Sequence, residues 1–380
     1  MPAYFDETSC DLDKFNQLCS QKVDPATMPH ACDVQHNIPS YDMPALAEML
    51  AGPNRRKLLT EWAQVLSTGS GAIMLKRAYT DTSSIDAATQ IYLDIIADEK
   101  AAGGNTADHF AAGTNDRVWN SLQKLCLKNP AVFATYFGNT ALKAASEAWL
   151  GPNYQMTAQV NLVYPGGAPQ VCHRDYHLGF QTNDISAAYP AHVHDMSPLL
   201  TLQGAVAHCD MSVESGPTKL LPFSQAYRPG YQAYRLPAFR EYFEQHYVQL
   251  PLEKGDALFF NPGLFHAAGE NRTGDVHRMA NLLQVSSAFG RALENVDRRA
   301  MSKALFPVLQ ASDMPTDKVA AAIGACAEGY SFSTNLDTDP PIGGLAPETQ
   351  AAKFHRALDE GWDAVAFNAE LDALWAKQQA

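Results

Sequence analysis

The chain has 380 residues, 46% hydrophobic and 18% charged, which places it with ordinary soluble globular proteins and gives it enough apolar material for a sizeable core. Its formal charge of −13 argues against a nucleic-acid or anionic-membrane partner, since both call for a basic patch. The single basic run, Arg55-Arg56-Lys57, falls in a predicted helix and reads as a solvated face. Seven widely spaced cysteines (Cys10, Cys19, Cys32, Cys126, Cys172, Cys209, Cys326) contain no Cys-x-x-Cys pair, so neither a disulfide framework nor a thiolate zinc site is expected. No apolar run reaches spanning length, and the acidic start MPAYFDETSC lacks the basic and apolar regions of a signal peptide. The expected compartment is the cytoplasm.

Residues 1–43 are polar and irregular, punctuated by Pro25, Pro29 and Pro39, and read as an extended segment. Leu58, Leu59, Trp62, Val65 and Leu66 then recur at helical spacing, predicting a helix over Asn54–Leu66 that the Gly/Ser cluster Ser67–Gly71 ends. Ala72–Leu75 reads as a short buried strand. Ser84 is the expected N-cap of a second helix, with Ile85, Ile91, Tyr92, Ile95 and Ile96 on its apolar face. The glycine-rich stretch from Ala101 to Asn120 reads as a mobile loop, and a further helix is predicted over Pro130–Leu150.

From Gln155 to Phe289 the texture changes to short β-rich runs: Met156–Tyr164, Leu199–His208, Thr218–Leu221, Ala257–Phe260 and Met279–Ser286. Pro/Gly turns separate them, which predicts an antiparallel sandwich or barrel. Helical spacing returns from about Asn295, with Val319, Ala322, Ile323 and Cys326 on one stripe and Trp362, Val365, Leu371, Leu374 and Trp375 on another. The expected fold is an all-β core at residues 68–290 with α-helical extensions at 1–67 and 291–380.

Within that core, Val171-Cys172-His173-Arg174-Asp175-Tyr176-His177 holds a His-x-Asp pair. On extended backbone, residues i and i+2 share a face, so both side chains can reach one metal. His266 follows the turn Asn261-Pro262-Gly263 at the start of another short strand and supplies a second imidazole. Two imidazoles and a carboxylate leave three positions of an octahedral Fe(II) open, enough for a bidentate 2-oxo acid and O2. The distal carboxylate of such a co-substrate needs a cation, and an arginine gives the two-pronged match. Arg278, at the head of the strand after the turn Asn271–Asp275, is the chosen partner; Arg272, inside the turn, is expected to face water.

The bland alternatives are close at hand, because a lone His-x-Asp occurs by chance in many chains. His192-x-His194 is a rival pair, but a cupin site would add a glutamate where Pro198 and Leu199 stand, so both read as loop residues. His177 either lines the substrate pocket or is an ordinary hydrogen-bonded histidine. His208 reads as a satisfied core residue and His109 as exposed. Asn271-Arg272-Thr273 is a glycosylation sequon without meaning in a cytoplasmic protein.

Taken together, residues 68–290 resemble the phytanoyl-CoA dioxygenase family of iron- and 2-oxoglutarate-dependent oxygenases. The likeness rests on Gly69–Tyr79, Gln159-Val160-Asn161 with Tyr164-Pro165-Gly166-Gly167, His173-Arg174-Asp175-Tyr176-His177, Asp210–Pro217, and His266 with Asn271, Thr273 and Arg278. It implies a double-stranded β-helix (jelly-roll) fold, Fe(II) held by His173, Asp175 and His266, and 2-oxoglutarate bound by Arg278 with Gln159 in the co-substrate pocket. Two departures stand out: Phe223-Ser224-Gln225 replaces the family's Gly-Ser-His turn, and Ala268 stands where a small hydroxyl residue often assists the co-substrate. The implied activity is hydroxylation of a small organic substrate, with release of succinate and CO2. A halogenase or other oxidative variant, or a non-enzymatic metal-binding sandwich, is the alternative. The helical extensions are read as serving homo-oligomerisation or covering the active-site mouth.

Overall fold

The computed structural model describes residues 2–103 and 115–379, and among them ten strands form, six of which fall on the predicted strand runs. In chain order they are β1 (Asp33–Gln35), β2 (Ile38–Asp42), β3 (Ala72–Lys76), β4 (Asn115–Val118), β5 (Gln155–Val163), β6 (Thr201–Ala207), β7 (Lys219–Leu221), β8 (Ala257–Phe260), β9 (Phe265–Ala267) and β10 (Arg278–Ser286). Eight of them form one mixed sheet in the order β1-β2-β3-β8-β6-β10-β5-β4, and β7 pairs with β9 in a small second sheet. Only the β2–β3 pairing is parallel among these; β10 runs antiparallel to both of its long neighbours, with Arg278 opposite Val163 and Gln284 opposite both Thr157 and Gln203.

Period-two alternation sorts the large sheet into two chemistries. Met156, Ala158, Val160 and Leu162 of β5, with Met279, Leu283 and Val285 of β10, join one apolar cluster with the helices on that side. The residues between them, Gln159 and Asn161 on β5 and Arg278, Ala280, Leu282 and Gln284 on β10, line a cavity on the other. The helical layer includes Arg55–Ser67, Ser83–Ala101 and Arg298–Gln310, whose Trp62, Tyr92 and Phe306 are fully buried. The C-terminal helices therefore pack behind the sheet, on the side away from the cavity.

Several expectations need correction. Residues 1–43 are not merely extended: Leu12–Cys19 is a helix whose Phe15 packs on Phe239 and Phe265, and β1 and β2 add to the sheet edge. The second helix begins two residues early, at Ser83 after Thr82; Asp81 accepts the Ser83 amide, so Ser84 is not the cap. The glycine-rich stretch closes in β4 rather than continuing as loop to Asn120, while His109 lies outside the described residues. Pro130–Leu150 is two helices, Pro130–Phe137 and Thr140–Leu150, because Asn139 caps the second by accepting the amides of Ala141 and Leu142. An unexpected helix, Ser121–Lys128, precedes them, and the β-rich region holds helices of its own, including Pro237–His246. His192 and His194 sit on one of these, Ala191–Met196, rather than in a loop.

His208, just past β6, is a core histidine with both ring nitrogens engaged: Nδ1 lies 2.8 Å from the Thr89 hydroxyl and Nε2 2.8 Å from the Tyr136 hydroxyl. Burial pushes its pKa down to about 3, with Asp86 resisting and Lys254 assisting. An unfolded chain protonates this imidazole near its ordinary value of about 6.5, whereas the folded one does not. The unfolded state thus binds the extra proton, and folding stability falls as pH drops from about 6.5 towards 3. Between pH 7 and pH 5 the loss from this residue alone should be roughly 2 kcal/mol. Urea unfolding of wild type and His208→Gln at both pH values should show that difference as a flatter pH response in the variant; equal responses would refute the assignment.

Candidate metal centre

His266 lies on β9, and His173 pairs with it in an isolated antiparallel bridge: His173 N donates to His266 O at 3.0 Å, and His266 N to His173 O at 3.1 Å. This two-bond exchange sets the imidazoles side by side, with centroids 4.4 Å apart. Each Nδ1 is 2.8 Å from the carbonyl two residues earlier, Val171 O and Leu264 O respectively. A carbonyl only accepts, so Nδ1 carries a proton in both rings, which leaves Nε2 as the nitrogen of each that can bind a metal.

Asp175 completes the group, with Oδ1 3.7 Å from His173 Nε2 and Oδ2 3.4 Å from His266 Nε2. One donor atom from each of the three residues lies within 4.8 Å of the others. Gln203 Nε2 donates to Asp175 Oδ2 at 2.5 Å and orients the carboxylate. Burial alone would raise this carboxyl's pKa, but the two imidazoles and Gln203 outweigh it and hold the group ionised. His173 is shifted down, chiefly by burial against the pull of Asp175. Two imidazoles with Nδ1 tied to carbonyls, beside an ionised carboxylate, are the donor set a divalent first-row metal takes.

Past Asp175 the chain turns sharply. Tyr176 and His177 adopt φ of +65° and +46°, uncommon for residues with side chains, and the Tyr176 hydroxyl is tied to Gln284 Oε1. The extended run therefore ends at Asp175, and His177 turns to the Ser197 hydroxyl at 3.1 Å, outside the cavity lining. His192 is exposed, and His194 is buried with Nε2 2.9 Å from Ser186 O, so neither reaches the centre.

The three side chains open onto a cavity of about 640 Å³ between the two sheets. Arg278 lines it and is buried, donating through Nη1 to Ser215 O (3.1 Å) and Gly269 O (3.2 Å). Burial pushes its pKa down to about 10, and no carboxylate among the described residues pairs with it. Asn271 holds the start of β10 in place, donating to Val163 O and Val276 O, while Arg272 is exposed. Buried in this turn, Asn271 is no glycan acceptor. Gln159 also faces the cavity, opposite Leu282 and thus four residues along from Arg278. Ala268 lines the wall near Thr218. Phe223 takes φ +69°, left-handed backbone that glycine would adopt freely.

Sequence reasoning missed Gln203, Gln284 and Arg174. The first two had a signal, being amides inside predicted strands, at positions that share a strand face with other cavity residues. Arg174 had none: between the two ligand candidates it points the opposite way, fully buried, over the rings of Tyr231 and Phe265. It donates to Ser224 O at 2.5 Å and Tyr227 O at 2.9 Å, fastening the His-x-Asp segment to the turn after β7.

The sequence model of the phytanoyl-CoA dioxygenase family matches residues 58–280. The chain belongs to the phytanoyl-CoA dioxygenase family. Enzymes of this family depend on Fe(II), 2-oxoglutarate and O2, and His173, Asp175 and His266 can hold the metal. Solved structures similar to this chain include the non-haem α-ketoglutarate-dependent epimerase SnoN from nogalamycin biosynthesis, at 20% identity over 61% of this chain and 84% of that one, TM-score 0.39. Another is the α-ketoglutarate-dependent carbocyclase SnoK from the same biosynthesis, at 18% identity over 62% and 86%, TM-score 0.44. SnoN in complex with Fe3+, α-ketoglutarate and nogalamycin RO is similar at 19% identity over 61% and 85%, TM-score 0.40. A search of curated proteins finds no match.

Replacing Arg174 by methionine keeps its stem but strands the carbonyls it binds, a cost of about 1–3 kcal/mol. Gly230→Ala should act through the same contact, since a Cβ there would sit 1.9 Å from Arg174 Cζ. Both variants should unfold at lower urea and bind iron more weakly, whereas Arg272→Met should do neither. Unfolding curves and metal titrations decide it; an Arg174→Met protein with wild-type stability and iron affinity would contradict the fastening role.

Proposed function

We propose that this member of the family is a 2-oxoglutarate-dependent hydroxylase of a small organic molecule. His173, Asp175 and His266 are its iron ligands, and Arg278 is the anchor for the distal carboxylate of the co-substrate. The observation that carries this reading is the joint placement of the three donors and a buried arginine, unmatched by any described carboxylate, in one cavity. A buried cation is stable when an anion meets it in good geometry, and a dicarboxylate that chelates metal at one end fits both features.

Iron with 2-oxoglutarate supplies, when bound, an oxidant able to replace a substrate C–H by C–OH, with O2 consumed and succinate and CO2 released. The chain's own residues bind and shield. Gln203 keeps the Asp175 oxygens in position, the Val171 and Leu264 carbonyls fix the imidazole tautomers, and Arg278 neutralises the co-substrate in a site closed on one face by the apolar back of the sheet. We assign the double-stranded β-helix to residues 68–290, the large sheet facing β7–β9, with β1 and β2 as an added edge.

Anaerobic protein loaded with Fe(II) should develop a visible charge-transfer band when 2-oxoglutarate is added, and His173→Ala, Asp175→Ala and His266→Ala should lose it. Arg278→Ala should keep iron but weaken 2-oxoglutarate binding by the cost of breaking a buried charge pair, roughly 2–5 kcal/mol or about 30- to several-thousand-fold. Lysine at 278 should rescue only partly, lacking the two-pronged geometry. Arg272→Ala should leave the titration unchanged, as an exposed charge is screened. A band that survives loss of His266, or co-substrate affinity that depends on Arg272 and not Arg278, would sink the assignment.

A further inference from the structure

Roughly 13 Å along β10 from Arg278, at four residues of strand rise, the cavity changes character. Two polar atoms that border it there, Gln159 Nε2 and Glu294 Oε2, are buried without a hydrogen-bond partner among the described residues. Their orientations are fixed from behind. Gln159 Oε1 accepts from Arg117 Nη1 at 2.8 Å; a guanidinium has only donors, so the amide oxygen must face it and the NH2 must face the cavity. Glu294 Oε1 accepts the Asn120 amide at 2.6 Å, in the turn after β4, which leaves Oε2 as the free oxygen. Burial raises the Glu294 pKa, and the amides of Asn120, Gln159 and Ala158 offset part of that rise, so Gln159 and Glu294 face each other closely; their free atoms nonetheless stay beyond ordinary hydrogen-bond distance. Leaving such groups unpaired costs about 1–3 kcal/mol each, a penalty that a ligand matching both removes.

The rim beside them is apolar: Val171, Phe180 and Leu293 line the cavity while 61%, 50% and 37% exposed. We propose that this end of the cavity takes an uncharged alcohol, whose hydroxyl donates to Glu294 Oε2 and accepts from Gln159 Nε2 while its carbon skeleton lies against Phe180 and Leu293. The proposal rests on the hydroxylase reading and names the substrate class of that site. A donor and an acceptor side by side select a hydroxyl over the charged alternatives. An ammonium would satisfy Glu294 but turn N–H groups towards the Gln159 NH2, with Arg117 behind it. A carboxylate or phosphate, including the many anionic groups of a coenzyme A thioester, would meet the Glu294 carboxyl.

Cyclohexanol, cyclohexylamine, cyclohexanecarboxylate and cyclohexyl methyl ether isolate the chemistry on one skeleton. Their affinities for the full chain are measured by calorimetry, and by perturbation of the anaerobic Fe(II)–2-oxoglutarate band. Cyclohexanol should bind at least tenfold more tightly than the other three. Gln159→Leu and Glu294→Leu should each weaken it tenfold or more and erase the preference, and the unperturbed band retained by Glu294→Leu is the proof that the metal end is intact. Glu294→Gln, which keeps an acceptor oxygen, should hold cyclohexanol within a few-fold of wild type. Tighter binding of the amine, equal binding of all four, or Leu variants that keep the preference would overturn the proposal, as would no cyclohexanol binding to a protein that forms the band. Failure of the band itself counts against the hydroxylase reading instead; calorimetry on the metal-free chain then decides the alcohol site, selectivity supporting it and its lack overturning it.

Discussion

Two backbone hydrogen bonds between His173 and His266 are the constraint on which the centre depends. They join segments nearly a hundred residues apart in sequence, and neither histidine could approach a common point without them. The same exchange lines up the carbonyls that fix both imidazole tautomers, so main-chain geometry sets side-chain chemistry as well as position. Asp175 needs a different device: the extended run must stop immediately after it, and the left-handed pair Tyr176–His177 makes it stop. Strain of this kind persists only where the surroundings over-determine it, and here the Tyr176–Gln284 contact and the buried Arg174 do so from opposite sides.

Arg174 and Arg278 are both buried beside the cavity, and their roles differ by what surrounds them. Arg174 spends its donors on the carbonyls of a turn and is part of the scaffold. Arg278 also donates to carbonyls, those of Ser215 and Gly269, and like Arg174 it borders the cavity without a carboxylate partner among the described residues. Desolvation lowers both pKa values to about 10, so the shift alone does not tell scaffold from site. Their surroundings do.

Much of this was legible in the sequence because period-two alternation survives in the long strands. The runs ending in β5, β8 and β10 were located to within a residue or so, and the His-x-Asp pair, His266 and Arg278 stood out by residue type and order. Parts held by long-range contacts were not legible. Nothing local marks Asp33–Asp42 as strand; β2 forms because β3 offers it an edge. Gly138-Asn139 splits a helix through a cap that also binds Ala78 O, a contact invisible in one dimension. Gln159 and Glu294 meet only because β5 and the segment after β10 converge on the same cavity. An isolated glutamate between Leu293 and Asn295 carries no such message.

The boundary at residue 290 divides the sequence more cleanly than it divides the folded molecule. Met301, Leu305 and Phe306 of the helix beyond it are buried in the same apolar cluster as Leu122, Leu125 and Phe133 and the back of β5 and β10. A catalytic fragment ended at 290 would present that surface to water, along with the rear of the strands that carry Arg278 and Gln159. The C-terminal helices contribute no side chain to the lining of the cavity, yet they are the wall that its floor is built on. Trimming the protein to its smallest active unit would have to keep them, and any chemistry lost on their removal would report a collapsed support and not a missing reagent.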